Sequence, residues 1–263
     1  MVRFVSLASG SNGNCYYFSD GSISFLVDAG IGARTVRKRL SELGISFDAI
    51  DFILVTHDHV DHIKCLGLLT ERFAKPVYAT RTLHDALSRH FCTRGKMTGC
   101  VRILKEDVAN DIRGVSVTPF VVPHDATQTV GYHIVFAGQK ITIITDLGSP
   151  TDAAVSYASM ADHLIVEANY DVDMLMRGPY PMQLKMRIIS DNGHLSNEQT
   201  CSLLKRCSHA GLRNVFLCHL SAHNNTPQTA YATVKETLEN LRSQASLHCL
   251  SRTQTSELFT FEE

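Results

Sequence analysis

The sequence carries almost no net charge. Its 263 residues include 25 basic and 26 acidic side chains, which give a formal charge of −1 at pH 7 when histidines are neutral. This balance excludes a histone-like polycation and an acidic disordered tail, so any contact with nucleic acid must come from a local patch. Apolar residues make up 44% of the chain and charged residues 19%, the composition of a globular protein with a large core.

Disulfide pairs, long apolar runs and linkers are also missing. Eight cysteines are scattered without a CxxC pair, which predicts free, mostly buried thiols in a reducing compartment. No apolar run reaches 18 residues, and the chain enters a Ser/Gly/Asn-rich stretch too early to hold the hydrophobic region of a signal peptide. We therefore expect a cytoplasmic protein that makes no membrane contact. Because no low-complexity linker interrupts the chain, we expect a single domain over residues 1–263.

Short apolar runs alternate with helical patterns. Ser196 and Gln199 form a capping-box pattern that predicts a helix start. Strands are predicted at residues 3–7, 15–19, 22–28, 49–56, 77–79, 115–122, 130–136, 140–145, 163–167, 215–218, 247–250 and 257–261. Amphipathic helices are predicted around Val36 and Leu40 and at residues 82–91, 151–160, 197–210 and 226–241, and a helical stretch is predicted from the histidine-rich turn to about Phe73. Strands in both halves with helices between them predict an α/β protein whose large mixed sheets are covered by helices.

What the sequence has in unusual number is histidine, with thirteen in all. Three of them and two aspartates occur within the six residues His57, Asp58, His59, Val60, Asp61 and His62, directly after an apolar strand. In a partly buried loop this concentration of polar and charged groups is costly unless a metal ion compensates for it. Imidazole nitrogens and carboxylate oxygens suit zinc, manganese and iron, so the cluster predicts a metal site.

Four more polar residues stand at the ends of predicted strands. Asp28, His124, Asp146 and His219 each follow an apolar run. Polar groups at strand ends of an α/β sheet converge on a ligand site. We therefore expect these four side chains to lie beside the histidine cluster.

The HxHxDH cluster, together with separate Asp, His, Asp and His motifs, resembles the metallo-β-lactamase superfamily over nearly the whole chain. The resemblance implies an αββα sandwich with two divalent ions, zinc, manganese or iron, at its edge. Asp61 would also influence the proton of the bridging water, and Asp28 would fix the cluster loop by hydrogen bonds. The implied ligands are His57, His59 and His124 for one ion, Asp61, His62 and His219 for the other, and Asp146 as the bridge.

Two further stretches resemble one smaller group within this superfamily. Residues 9–15 and 219–227 are similar to the YycJ/WalJ group of small nucleases. This similarity implies 5′→3′ exonuclease action on DNA rather than RNA, with a link to DNA repair. Ser11 and Asn14 lie in the first stretch, whose glycines would let backbone amides approach an anion, and we expect both to contact substrate.

Glu167 and His194 lie in runs that resemble the Glu and His motifs of ribonuclease Z-type enzymes. A 3′-oxyanion is a poor leaving group unless it is protonated or metal-bound, so a positioned imidazolium has a use as a general acid. We assign that role to His194 and its support to Glu167. The alternative is that His194 only marks a helix start.

Chain spacing excludes two larger types of nuclease. Only 73 residues separate Asp146 from His219, too few for the inserted domain of β-CASP nucleases. Only 22 separate His124 from Asp146, which leaves no room for the tRNA-gripping arm of ribonuclease Z. The segment after Glu167 offers candidate contacts to a nucleic acid backbone and to its bases: Arg177, Lys185, Arg187, Tyr170 and Tyr180.

Three other functions stay open. The same fold could hydrolyse a small thioester or lactone, in which case Glu167 and His194 have no use. It could also process RNA, or bind metal in a regulatory protein without catalysis. Cleavage of end-labelled DNA distinguishes these alternatives.

Overall fold

The computed structural model describes residues 1–262, in which two seven-stranded sheets face each other. The first sheet contains β1 Val2–Ala8, β2 Cys15–Ser19, β3 Ser24–Val27, β4 Phe52–Leu54, β5 Val77–Thr80, β6 Val101–Leu104 and β14 Phe259–Phe261. The second contains β7 Asn110–Ile112, β8 Val115–Val122, β9 Thr129–Phe136, β10 Gln139–Ile144, β11 His163–Glu167, β12 Asn214–Cys218 and β13 Ser246–Cys249.

Each sheet is half antiparallel and half parallel. The first runs in the order β14-β1-β2-β3-β4-β5-β6 and the second in the order β13-β12-β11-β10-β9-β8-β7. In both, the pairings are antiparallel at one side and become parallel after the middle strand, at β3–β4 and at β10–β11. Both sheets are therefore mixed, as predicted.

Helices cover the outer faces of both sheets. The helices of the first half are α1 Ala33–Glu42, α2 Val60–Ile63, α3 Leu66–Phe73 and α4 Arg81–Arg89. Those of the second half are α5 Asp152–Ala158, α6 Val172–Arg177, α7 Met182–Ile189, α8 Asn197–Cys207 and α9 Pro227–Asn240. Val36 and Leu40 of α1, four residues apart and so on one helix face, are buried against the first sheet. Leu204 of α8 and Val234 of α9 are buried on the second.

Aromatic rings fill the space between the sheets. Phe4 of β1 stacks on Phe18 with ring centroids 4.8 Å apart, and it meets Phe216 of β12 edge-on at 5.0 Å. Phe25 and Phe52 continue the stack at 4.9 Å. The apolar faces of the two sheets thus bury each other while the helices bury the opposite faces, which confirms the predicted αββα sandwich.

Several local predictions are confirmed and others are wrong. The hairpin between β9 and β10 turns through Ala137 and Gly138, both at positive φ, a turn type that matches strand twist. The capping box at Ser196 is present. The predicted strand over residues 49–56 is shorter, because Phe47–Ala49 forms a 3₁₀ turn and pairing begins at Phe52.

Four elements lack a clear periodic signal and were not predicted: β6, β7, α6 and α7. Three of the four residues of β6 are exposed, so this edge strand has no alternation of apolar and polar residues. All eight cysteines are free and six are buried, as predicted. Within residues 1–262, no helix combines the length and the apolar character needed to cross a membrane.

Candidate metal centre

The strand ends meet at one edge of the sandwich. β10, β11 and β12 are parallel neighbours, so Asp146, Glu167 and His219 follow one another along that edge. Asp28 follows β3 and His57 lies just beyond β4, its parallel neighbour. The fold therefore places the predicted residues of both sheets side by side.

Backbone contacts fix the cluster loop. The amide of Asn14 donates to the Asp61 carbonyl at 2.7 Å, and the amide of Ala29 donates to the His62 carbonyl at 2.7 Å. A Cβ atom added at Gly30 would lie 1.6 Å from the carbonyl oxygen of Asp61. Because only glycine permits this approach, Gly30 is needed to hold the loop against the end of β3.

Three buried histidines share one orientation. Nδ1 of His57 donates to the Thr56 hydroxyl at 3.1 Å, and Nδ1 of His62 donates to Asp28 at 2.6 Å. Nδ1 of His124 donates to the carbonyl of Gly193 at 2.7 Å. In each ring Nδ1 is therefore held by an outer hydrogen bond, and Nε2 is the nitrogen that faces the centre of the site. This is the arrangement in which histidines bind metals.

His59 is turned the other way. Its Nε2 lies 3.3 Å from the carbonyl of Asp125, whereas its Nδ1 lies 3.3 Å from Nε2 of His124. His59 therefore offers Nδ1 rather than Nε2 to the centre. His219 has Nε2 3.4 Å from Asp61, and its Nδ1 is 3.0 Å from Glu167 and 3.1 Å from Asp146.

The donor atoms form overlapping sets that fit divalent ions. Potential ligand atoms of His57, His59 and His124 all lie within 4.8 Å of one another, and the same holds for Asp61, His62 and His219. Asp146 joins a third set with His57 and His62. The structure thus brings together all seven predicted ligands.

Two buried atoms in this centre have no hydrogen-bond partner among the described residues. They are Nε2 of His57 and Oδ2 of Asp146, the latter with Nε2 of His62 3.2 Å away but not directed at it as a hydrogen bond. Leaving such atoms unpaired costs free energy, and both point into the ligand sets, so their need for a partner fits a metal ion. The nitrogen and carboxylate donors are those that transition metals prefer, and we conclude that this edge is a divalent metal site.

Asp28 holds the histidine cluster in place through hydrogen bonds. One carboxylate oxygen accepts from the backbone amide of Thr56 at 2.8 Å, and the other accepts from the Thr56 hydroxyl at 2.8 Å and from His62. Asp28 and His219 both have positive φ, 63° and 52°, which non-glycine residues rarely adopt. Such strain is typical of functional sites, where the surrounding structure holds the residue in place.

Charges within the centre shift its pKa values in opposite directions. Burial and the adjacent His62 hold the pKa of His57 well below its usual value. Burial would raise the pKa of Asp146, but the neighbouring His219 and His62 outweigh it and lower that pKa. Burial would lower the pKa of His219, but Asp146, Asp61 and Glu167 raise it to about 10. The carboxylates therefore hold positive charge here, from protons when no metal is bound.

Glu167 connects the candidate metal ligand His219 to His194. Its Oε1 lies 2.7 Å from Nδ1 of His194 and 3.0 Å from Nδ1 of His219. Its Oε2 accepts from the backbone amides of Leu147 and Leu195 at 3.0 and 3.1 Å. This fully buried carboxylate is therefore fixed at both oxygens, and it fixes the orientation of both imidazole rings.

His194 faces a cavity of about 280 Å³ that also opens onto the metal ligands. Burial would lower the pKa of His194, but the Glu167 carboxylate outweighs burial and raises it, which favours the protonated ring. The cavity is lined by Ser11, His59, Asp61, Asp125, Asp146, Asn169, Tyr180, Leu184, Arg187, Ile188, Gly193, His194, His219 and Ser221. Three predicted substrate contacts, Ser11, Tyr180 and Arg187, are among them.

Four other predicted substrate contacts are corrected. Asn14 is fully buried and its amide lies 2.9 Å from Nε2 of His62, so it supports the cluster instead. Tyr170 is 2% exposed and offers no ring face to a base. Lys185 is also buried, because its ammonium group donates to the carbonyl of Met176 at 2.7 Å. Arg177 lies outside the cavity, with a side chain that is 82% exposed and paired with Asp173.

Three polar side chains of the cavity were not predicted: those of Asp125, Asn169 and Ser221. Asp125 accepts from Nε of Arg187 and lies 3.5 Å from Nε2 of His124, so it joins a basic side chain to the ligand set. The amide of Asn169 donates to the carbonyl of His219 at 2.9 Å, and Ser221 lies two residues after His219. Their positions next to predicted site residues were the only signal, and that signal is weak.

Known proteins resemble this chain in sequence and in structure. The β-lactamase superfamily domain matches residues 24–220. An exodeoxyribonuclease YycJ of Bacillus anthracis is 32% identical over 241 residues, which cover 90% of this chain and 89% of the relative. An exodeoxyribonuclease WalJ of Streptococcus pneumoniae is 31% identical over 232 residues, 88% of this chain and 86% of the relative.

A solved structure shows the same fold. It is the metallo-β-lactamase fold protein YhfI from Bacillus subtilis, with a TM-score of 0.71 and 17% identity over 97% of this chain and 98% of that one. The sequence matches, the αββα sandwich and the clustered ligands lead to the same assignment. The chain belongs to the metallo-β-lactamase superfamily, in the group that includes YycJ and WalJ.

Proposed function

We propose that this protein is a metal-dependent phosphodiesterase that removes nucleotides from DNA in the 5′→3′ direction. One observation carries the proposal: His194, held by Glu167, faces the same cavity as the metal ligands. A hydrolase of small thioesters has no need of a positioned acid at this place. The names of the two relatives, both exodeoxyribonucleases, support DNA as the substrate.

The centre is proposed to hold two divalent ions. His57, His59 and His124 would bind one, Asp61, His62 and His219 the other, and Asp146 would contact both. When bound, such a pair supplies a hydroxide at neutral pH and stabilises negative charge on the phosphate. The donor set accepts zinc, manganese or iron, as the sequence predicts.

The protein's own groups would then manage the protons. His194 is proposed to give its proton to the departing 3′ oxygen, a step worth about 10²–10⁴-fold in rate for a well-placed acid. Glu167 stabilises the charged ring and keeps its Nδ1 occupied, so Nε2 is the atom left to donate. The carboxylate of Asp61, partly open to the cavity, is placed to accept a proton from water.

The cavity offers contacts for one end of a DNA strand. Arg187 is proposed to bind a phosphate, since its side chain is 60% exposed and only its Nε is paired with Asp125. The half-buried ring of Tyr180 lies in the same lining and is available to stack on a base. Ser11 adds a hydroxyl to the same lining.

The test is cleavage of a DNA strand labelled at either end by metal-loaded protein. We expect the 5′ label to appear first as a mononucleotide while the 3′ label stays in long products. Asp146→Ala is the inactive control. RNA of the same sequence and a small thioester are run in parallel, and turnover of either without cleavage of DNA would contradict the proposal.

A further inference from the structure

Four of the five histidines in the ligand sets have a firm partner at the nitrogen that faces away from the centre. These partners are a hydroxyl, two carboxylates and a backbone carbonyl, at 2.6–3.1 Å. His59 has a looser one: its side chain is 31% exposed, and its Nε2 lies 3.3 Å from the backbone carbonyl oxygen of Asp125 and 3.7 Å from Oδ1 of the same residue. Because outer partners orient a ligand ring, Asp125 holds the least constrained histidine of the centre.

The second oxygen of the same carboxylate contacts the basic side chain of the cavity. Oδ2 of Asp125 accepts a hydrogen bond from Nε of Arg187, and both residues line the cavity. The two Nη groups of Arg187 make no hydrogen bond to any of residues 1–262. A guanidinium that is held at Nε therefore keeps its Nη groups free for a two-pronged contact with a phosphate.

The backbone fixes the position of Asp125. Residues 123–128 connect β8 to β9, and the carbonyl of Pro123 accepts from the amide of Gly148, in the loop after β10, at 2.7 Å. Thr127 donates to the carboxylate of Asp58 through its amide at 3.2 Å and through its hydroxyl at 2.6 Å. The loop is thus tied to the second sheet on one side and to the histidine cluster on the other, with Asp125 between the two ties.

A carboxylate in a cavity that is proposed to bind phosphate needs an explanation, because its charge alone would repel the ligand. The two contacts of Asp125 supply one. A long arginine side chain loses conformational freedom when it binds a phosphate, and a partner that already holds its Nε reduces that cost. We propose that Asp125 is a positioning residue that fixes Arg187 and His59 relative to each other, so that a phosphate bound by Arg187 is aligned with the metal bound through His59.

This inference rests on the proposed function, and two titrations test it without any cleavage of DNA. Inorganic phosphate is titrated into the metal-loaded protein by calorimetry, and Zn²⁺ is titrated against a competing chelator. The variant is Asp125→Asn, which keeps the volume of the side chain but replaces one acceptor oxygen by a donor. Asp173→Asn is the matched control, because that carboxylate pairs with Arg177, whose side chain is 82% exposed and lies outside the cavity.

We expect Asp125→Asn to weaken phosphate binding by about tenfold, which is the loss of one charge-assisted hydrogen bond. Zinc binding should weaken by about tenfold or more, because His59 loses its acceptor. On labelled DNA at saturating zinc, KM should rise by about tenfold while kcat stays within about threefold, since His194 and the other ligands keep their places. Asp173→Asn should match the parent in all four quantities.

Arg187→Gln supplies the second half of the test. In that background, Asp125→Asn should weaken phosphate binding no further but should still weaken zinc binding, because only the first effect requires the guanidinium. Tighter or unchanged phosphate binding in Asp125→Asn would show that the carboxylate does not position Arg187. Additive losses of phosphate binding in the double variant, or full zinc affinity in Asp125→Asn, would also overturn the inference. A parent protein that binds phosphate and zinc but cleaves no DNA would instead refute the proposed function.

Discussion

The two ends of strand β11 place buried titratable residues in opposite environments. His163 begins the strand and Glu167 ends it, and both are at most 1% exposed. At the first end, the ring of His163 donates to Gln139 at 3.0 Å, accepts from Asn214 at 2.9 Å and stacks on Phe261. At the second, Glu167 lies among Asp146, His194 and His219.

The difference separates a structural end from a functional one. Every polar atom of the His163 ring has a neutral partner, and burial there lowers the pKa of His163 to about 4, so the ring stays uncharged. At the Glu167 end, carboxylates and histidines are mixed, and Oδ2 of Asp146 makes no well-directed hydrogen bond among residues 1–262, although Nε2 of His62 lies 3.2 Å away. Similar burial thus yields a satisfied core at one end and a cation site at the other.

The largest effect should come from the carboxylate of Asp146. Asp146→Ala removes an atom that contacts both ligand sets, so we expect metal content to fall and turnover to drop by at least about 1,000-fold. Asp162→Ala, whose carboxylate accepts from the Lys140 amide at the structural end of the strand, should change neither. Metal content by mass spectrometry and turnover on labelled DNA give the result. Full metal content in Asp146→Ala would contradict the claim that the Glu167 end of β11 binds metal while the His163 end is only structural.

Glu167→Gln should come next. A carboxamide cannot accept from two imidazoles at Oε1 while its other side accepts from two amides, so His194 and His219 would both lose their orientation. We expect turnover to fall by about 100-fold or more and metal affinity by about 10–100-fold, the usual cost of losing such a supporting group. Metal titration with a competing chelator, alongside turnover, measures both. Unchanged values would mean that Glu167 is structural, like His163.

Asp28→Asn tests whether a carboxylate at the end of a strand in the first sheet also supports metal binding by orienting a histidine. The substitution weakens the contact to Nδ1 of His62 while keeping the volume of the side chain. We expect metal affinity to fall by about 10–100-fold with little change in the fold. Chelator competition and circular dichroism are the measurements. A fold that melts without any change in metal affinity would place Asp28 with the structural residues.

The smallest effect is expected at His163, at the structural end of β11, and it changes only the free energy of unfolding. Because the pKa of His163 is about 4 in the folded chain and near 6.5 when unfolded, the unfolded state binds the proton more readily. This histidine therefore costs no stability above pH 6.5 and destabilises the fold as the pH drops toward 4, by up to about 3 kcal/mol.

His163→Gln should remove that part of the pH dependence and leave turnover at neutral pH within twofold of the parent. Urea unfolding of both proteins between pH 7.5 and 4.5 gives the difference between their free energies of unfolding at each pH. The titration of the other histidines cancels in this difference. Identical pH dependence in the two proteins would show that His163 is not held neutral.

The metal ligands were predictable from sequence because their signal is local. A buried strand followed at once by a polar residue predicts both the strand and the position of its end, as at Asp28, Asp146 and His219. Strands that share a sheet edge then bring these residues together. The αββα architecture followed from the resemblance, and the alternation of strands and helices agreed with it.

The wall of the cavity was not predictable because it depends on packing between distant segments. Tyr170 and Lys185 look like exposed binding residues in the sequence, but Tyr170 is buried where its backbone meets Leu195, and the Lys185 ammonium is buried at the Met176 carbonyl of α6. Asn14 is buried because it lies against His62, 48 residues away. Asp125 accepts a hydrogen bond from Arg187, which lies 62 residues further along the chain. No local sequence pattern reveals that pair.

One measurement tests most directly whether the Glu167 end of β11 is catalytic: turnover per bound metal ion in His194→Ala. The structure predicts unchanged metal content and turnover lower by about 10²–10⁴-fold, because the ring faces the cavity and is held by Glu167. A parallel loss of metal would make His194 a ligand, which Asp146, Glu167 and His219 lie close enough to allow. That loss, or full turnover without the ring, would contradict its role as the general acid.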